Sequence, residues 1–273
     1  MRRVPVVLAV AALLVGWIGL NMEGIYFRDA VAYWRPDFDD LYGGRHVGVM
    51  STYLYSPAFA QAMWPFGLLP WEVFAALFSA TNLVVLAWLV GPIPAALLLW
   101  IPGPVSDEIS TGNIHLLLAA AAVVAFRHPG AWGFPMLTKV TPGIGALWLA
   151  GARQWRGLAV AITTTAVVVG VSFAVAPDAW FEWLETLRRS AAVPAGEAAV
   201  IPGPLWLRTA LAASLAVGAG VLRWRWLVPV AMTLALPVPW SSGLSLLVGS
   251  LALTRAWWES GIRTLPQKLT ARG

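Results

Sequence analysis

Two charged residues stand where their position is either costly or chemically useful. Lys139 lies inside the apolar run 130–152, on the order of 15 Å from either end if that run is helical, too far for its side chain to snorkel out. An ammonium at that depth costs at least about 2.5 to 3.5 kcal/mol on insertion scales, so it must face a cavity or an anion. A phosphate would serve, and so would a buried pair with Asp107 or Glu108. Asp29 follows the first apolar run, 4–20, by nine residues, in the sequence GIYFRDAVAYW. A carboxylate there can act as general base for a hydroxyl brought within hydrogen-bond reach. It can equally cap the helix that AVAYW begins.

The surroundings of Asp29 are the longest polar stretch of the chain, residues 21–57. They hold Glu23, Asp29, Asp37, Asp39 and Asp40 of the 13 acidic residues, and all 5 tyrosines: Tyr26, Tyr33, Tyr42, Tyr53 and Tyr55. Asp37, Asp39 and Asp40 read as a solvated turn, though three carboxylates can also hold a divalent cation. Tyr26, Tyr33, Tyr53 and Tyr55 suit either a pocket lined by rings and hydroxyls or anchoring at a membrane interface. Further on, Gly112, Asn113 and His115 open a helix whose free N–H groups suit a phosphate. There is no cysteine, which excludes thiolate nucleophiles, disulfides and cysteine metal sites. His46, His115 and His128 are too scattered to suggest a metal centre, and neither metal nor cofactor is expected.

The elements that must position these residues are set by composition. Of 273 residues, 59% are hydrophobic and 11% charged, with a mean hydropathy of +0.72, far from the roughly 25% charged of a soluble domain. The fold class is therefore all-α, a polytopic transmembrane helical bundle forming one integral membrane domain over residues 1–273. The net charge of +5 is carried largely at the ends of apolar runs, where it orients the chain and does not indicate nucleic acid. Arg2 and Arg3 place the start of the first run, a retained signal anchor, in the cytoplasm, which puts loop 21–55 outside. Further spans are expected over 55–69, 72–90, 114–126, 158–176, 205–222, 226–239 and 242–257, with 177–204 as a second external loop. Run 93–101, hemmed by Pro92, Pro94, Pro102 and Pro104, is too short to cross and reads as a half-helix. Arginines at both ends of 130–152 favour a re-entrant hairpin broken at Thr141, Pro142 and Gly143, with a simple span as the alternative. About eight full spans plus half-helices result, in the plasma membrane with both termini cytoplasmic.

In order, RDAVAYW, YLYSPAFA, FGLLP, the Gly112 and Asn113 pair before an apolar helix, LTKVTPG and PVPWSSG resemble glycosyltransferase family 87. These are membrane hexosyltransferases of the GT-C class that use polyprenyl-phosphate sugars. The resemblance covers most of the chain to about Ser242 and implies a shortened member, by several spans. It implies Asp29 as catalytic base and Lys139, in a Lys-x-x-Pro element, beside the donor phosphate. The chain departs from the family in carrying Gly112 and Asn113 for Gly-Gln, and Ser241, Ser242 and Gly243 where an acid and a histidine usually follow the late tryptophan. The chain either lacks that histidine's contribution or replaces it with His115 or His46.

The expected function is an inverting transfer of a hexose, mannose in the first instance, from a polyprenyl-phosphate donor to an extracytoplasmic lipid or glycan acceptor. Asp29 is the base, Lys139 with Arg28 binds the donor phosphate, and Tyr26, Tyr33, Tyr55, Asn113 and His115 line the substrate site. The rival readings are a transporter or flippase for a lipid-linked sugar, in which Lys139 binds phosphate and no bond breaks, and a non-catalytic relative.

Overall fold

The computed structural model describes residues 27–43, 53–192 and 199–254. The first apolar run, Tyr26, His46 and the C-terminal basic residues fall outside them. Among the described residues the fold is helical throughout. The α-helices are α1 (Arg28–Trp34), α2 (Pro57–Met63), α3 (Trp71–Val90), α4 (Pro92–Trp100), α5 (Pro104–Thr111), α6 (His115–Ala125), α7 (Gly133–Thr138), α8 (Leu147–Gly151), α9 (Trp155–Val175), α10 (Pro177–Ala192), α11 (Leu205–Val221) and α12 (Leu227–Leu234). Short 3-10 segments at Trp64–Leu68, Pro129–Trp132, Thr141–Ala146 and Ser241–Leu247 join or extend them.

Two helices, α3 and α9, are long and apolar enough to cross a membrane, and a third span results if α5 and α6 count as one. That pair is bent by 109°. The eight-span count of the sequence reading is therefore not reached among the described residues: α6 and α11 are too short, and proline breaks two other runs. Apolar run 55–69 is split by Pro65 into a seven-residue helix and a 3-10 turn, and 226–239 stops as a helix at Leu234, ahead of Pro237 and Pro239. A proline inside a helix removes one hydrogen bond and clashes with the preceding turn, so an apolar composition does not guarantee a continuous helix. Segment 177–204, taken as a loop, begins with the 16-residue amphipathic α10, which buries Trp180, Trp183 and Thr186 while Phe181 and Leu184 stay exposed.

Large apolar side chains face outward on α9, where Ile162, Val167, Val171 and Val175 are exposed, and on α11, where Trp206, Leu211 and Val221 are. Inside, α8 and α11 approach until side chains have no room. A Cβ on Gly151 would lie 2.1 Å from the carbonyl oxygen of Val217, and one on Gly220 2.3 Å from that of Trp148. Small residues at a crossing let two backbones touch, which is how helices associate where water supplies no driving force.

The half of the molecule that holds Asp29 is an aromatic core around α1. Tyr33 is fully buried and meets Tyr55, Phe59 and Phe78 at ring-centroid distances of 5.0, 5.7 and 5.6 Å. Trp34 donates from Nε1 to the Leu69 carbonyl at 2.9 Å, and Arg35 covers the Trp34 ring while donating to the Gly67 carbonyl. A seven-residue helix is marginal on its own. These tertiary clamps give α1 its fixed orientation.

Candidate active site

Asp29 occupies the first turn of α1, one residue inside it, so it is not the N-cap that one sequence reading allowed; Phe27 stands at that position without a side-chain bond. Freed from capping, its Oδ2 accepts a 2.6 Å hydrogen bond from Nδ2 of Asn113. The Asn113 amide is itself fixed, because its Oδ1 accepts the backbone N–H of Ile114 at 2.9 Å. One oxygen end committed to the backbone leaves the nitrogen end for the carboxylate, so Asn113 orients Asp29.

Asn113 reaches Asp29 because of Gly112. That glycine ends α5 in the left-handed conformation, φ +66°, where the absence of a Cβ removes the steric penalty. A Cβ there would sit 2.6 Å from the Cβ of Ala30, so the same glycine turns the chain toward α6 and lets α1 lie against the turn. Below the turn, Glu108 and His115 are both buried. Glu108 Oε1 accepts the backbone N–H groups of His115 and of Leu116, the latter at 3.2 Å, satisfying donors that a helix start leaves free. Its Oε2 lies 2.8 Å from His115 Nδ1.

Lys139 ends α7, where Val140 forms a γ-turn: φ is +49°, ψ is −68°, and Thr141 N–H bonds back to the Lys139 carbonyl. A β-branched residue at positive φ is strained, and such strain concentrates at functional positions. The break falls at the expected place, and Gly143 returns against Met136 so closely that a Cβ would meet its Cγ at 2.6 Å. Lys139 Nζ sits 2.9 Å from His115 Nε2 and 5.9 Å from the Tyr55 ring centroid. Neither Asp107 nor Glu108 pairs with it directly; the link to Glu108 runs through His115, while Asp107 accepts from Ser241 Oγ. The Asp29 carboxylate is close enough to both His115 and Lys139 to act on them electrostatically.

Of the tyrosines, Tyr55 stands beside Lys139 and its hydroxyl pairs with that of Tyr33 at 2.7 Å, so Tyr33 supports Tyr55 from behind. Tyr42 donates to the Tyr55 carbonyl at 2.8 Å. The Tyr55 strand of chain is tied to the lysine's own helix by the Ser56 N–H bond to the Leu137 carbonyl. Arg28 is exposed at the start of α1. Asp37, Asp39 and Asp40 form an exposed turn in which Asp37 accepts the backbone N–H of Asp39. The late segment also arrives here: a Cβ on Gly243 would lie 3.9 Å from His115 Nε2. The residue that sequence reasoning underrated is Glu108, weighed only as a partner of Lys139. Its spacing of seven residues from His115, across a glycine, was the available signal.

A half-buried carboxylate held by an amide thus stands near an ammonium held by an imidazole, in an all-helical protein with two helices long and apolar enough to cross a membrane. The sequence model of glycosyltransferase family 87 matches residues 53–265, and the chain belongs to that family. It is 27% identical over 186 residues to a polyprenol-phosphate-mannose-dependent alpha-(1-2)-phosphatidylinositol pentamannoside mannosyltransferase of Mycobacterium tuberculosis (strain CDC 1551 / Oshkosh), a match covering 60% of this chain and 40% of the relative. The chain thus spans less than half the length of that relative. No solved structure matches it.

Proposed function

We propose that this protein is a multi-pass plasma-membrane hexosyltransferase of the GT-C class that transfers mannose from a polyprenyl-phosphate donor to an extracytoplasmic lipid or glycan acceptor with inversion. One observation carries the reading: Asp29, near the start of the chain, and Lys139, at its middle, are both half-buried and are held by Asn113 and His115, two residues apart at the start of α6. The acceptor hydroxyl gives its proton to Asp29, its oxygen bonds to the anomeric carbon, and the bond from that carbon to the phosphate oxygen breaks. The polyprenyl phosphate leaves with the electron pair, and Lys139, with Arg28 at the rim, offsets its charge. A preorganised cation in a water-poor site is worth far more than one in water. Tyr55 and Tyr26 offer ring and hydroxyl contacts to the sugar. The family supports the transfer chemistry, and the relative's dependence on polyprenol-phosphate mannose supports the donor.

The test is sugar transfer in membranes from labelled polyprenyl-phosphate hexoses, beside an Asp29→Asn control. Loss of general-base catalysis is worth about 10²- to 10⁴-fold. A control that keeps more than about a tenth of the activity discards Asp29 as the base. Donor bound and moved across the membrane, with no product from any hexose, favours the flippase instead.

A further inference from the structure

Glu108 is the one carboxylate among the described residues with no exposed surface, and the transfer chemistry above leaves it unused. Its contacts are directional. Oε1 takes two backbone N–H groups and Oε2 faces His115 Nδ1, so the carboxylate is an acceptor throughout and Nδ1 carries the imidazole proton. Nε2 is then left with its lone pair, aimed at the Lys139 ammonium 2.9 Å away. The imidazole can accept from the lysine only because Glu108 has set its tautomer.

We propose that Glu108 is a positioning residue for Lys139: through His115 it fixes the ammonium by one of its three N–H bonds and leaves two directed at the anionic group the site receives. The proposal deepens the reading of Lys139 as the partner of the donor phosphate and rests on it. The strained γ-turn at Val140 fits this role, since it presents the lysine from a break in the chain and not from a helix face. In a Glu108→Gln protein, Oε1 still serves both backbone N–H groups, so the start of α6 stays capped. The new amide N–H₂ instead donates to Nδ1, the ring proton moves to Nε2, and two donors then oppose one another across the contact with Lys139.

The experiment uses full-length protein in lipid nanodiscs, labelled with 15N-histidine. The chain has 3 histidines, so the ring nitrogens are assignable by single substitutions. Binding of farnesyl phosphate, a short polyprenyl phosphate without sugar, is measured beside it. Wild type is expected to show the Nδ1–H tautomer at His115 and Glu108→Gln the Nε2–H tautomer. Farnesyl phosphate affinity should fall about 10- to 100-fold, the worth of a charge-assisted hydrogen bond, with melting changed little and KM raised more than kcat lowered. His115→Phe keeps the Glu108 cap yet cuts the link, and should lose the same affinity. Unchanged tautomer and affinity in Glu108→Gln, or wild-type affinity in His115→Phe, would overturn the proposal and leave Glu108 as a helix cap. If the tautomer changes from wild type to Glu108→Gln but wild type binds no farnesyl phosphate, Glu108 still positions the His115 and Lys139 pair, and the phosphate is removed from the proposed function.

Discussion

Gly112→Ala should be among the most damaging single changes of one methyl group in this protein. Two penalties add at that position. The residue holds φ +66°, where an L side chain costs roughly 1–2 kcal/mol. The added Cβ would also meet the Cβ of Ala30 at 2.6 Å and a ring carbon of Phe27 at 3.2 Å, and relief requires α1 to shift, an overpacking cost of about 1–3 kcal/mol. The sum, about 2–5 kcal/mol, corresponds to a melting drop on the order of 5–15 °C for a domain of this size. Because α1 carries Asp29, the shift also lengthens the 2.6 Å bond to Asn113, and if Asp29 is the base proposed above, a displacement near 1 Å there costs about 10²-fold in rate. The assay is a double-mutant cycle with Ala30→Gly, read by thermal melting in detergent and by sugar transfer. Ala30→Gly alone costs about 1 kcal/mol in helix propensity. Combined with Gly112→Ala it removes the collision, so the double variant should be more stable than the two single losses predict by about 1–3 kcal/mol, with part of the activity restored. A Gly112→Ala protein that melts like wild type, or a double variant whose losses merely add, refutes the claim that contact with Ala30 through Gly112 sets the position of Asp29.

Two further outcomes follow from the described contacts. Arg208 is buried at 2% exposure and donates to the carbonyls of Gly203, Leu234, Leu236 and Pro237, so Arg208→Met strands those acceptors and should cost about 3 kcal/mol or more, measured as lost melting temperature. Arg208→Lys should recover only part of that, since an ammonium cannot reproduce the planar fork; full recovery would show that charge alone is needed there. Burial pushes the Tyr42 phenol, with the Glu182 carboxylate adding to it, and the Tyr53 phenol above their ordinary range. A raised folded-state pKa contributes stability that is complete below about pH 10 and is lost as pH rises through the folded value. Ultraviolet titration of tyrosinate should therefore leave these two rings silent at pH values where free tyrosine ionises, with their signal appearing only on alkaline unfolding. Reversible titration of all tyrosines near pH 10 would show the rings to be solvated.

The sequence by itself determined that the chain is helical and apolar, that helices cover 72–90 and 158–176, that a short proline-bounded helix follows the first of these, and that Lys139 stands at a break in the chain. Each of these depends on composition, proline placement or a lone charge in an apolar run, which act locally. It also singled out a carboxylate, Asp29, and a cation, Lys139, as two separate expectations. The tertiary structure decided what those two residues touch. Asn113, read as a substrate contact, orients Asp29 from 84 residues away along the chain, and His115, read the same way, ties Lys139 to Glu108. Such bonds depend on the turn at Gly112 and on α1 lying against it, distances that no periodicity records. The proline-split runs mark the same boundary from the other side: hydropathy measures what a segment can be buried in, while the geometry of its backbone decides whether it crosses as one helix.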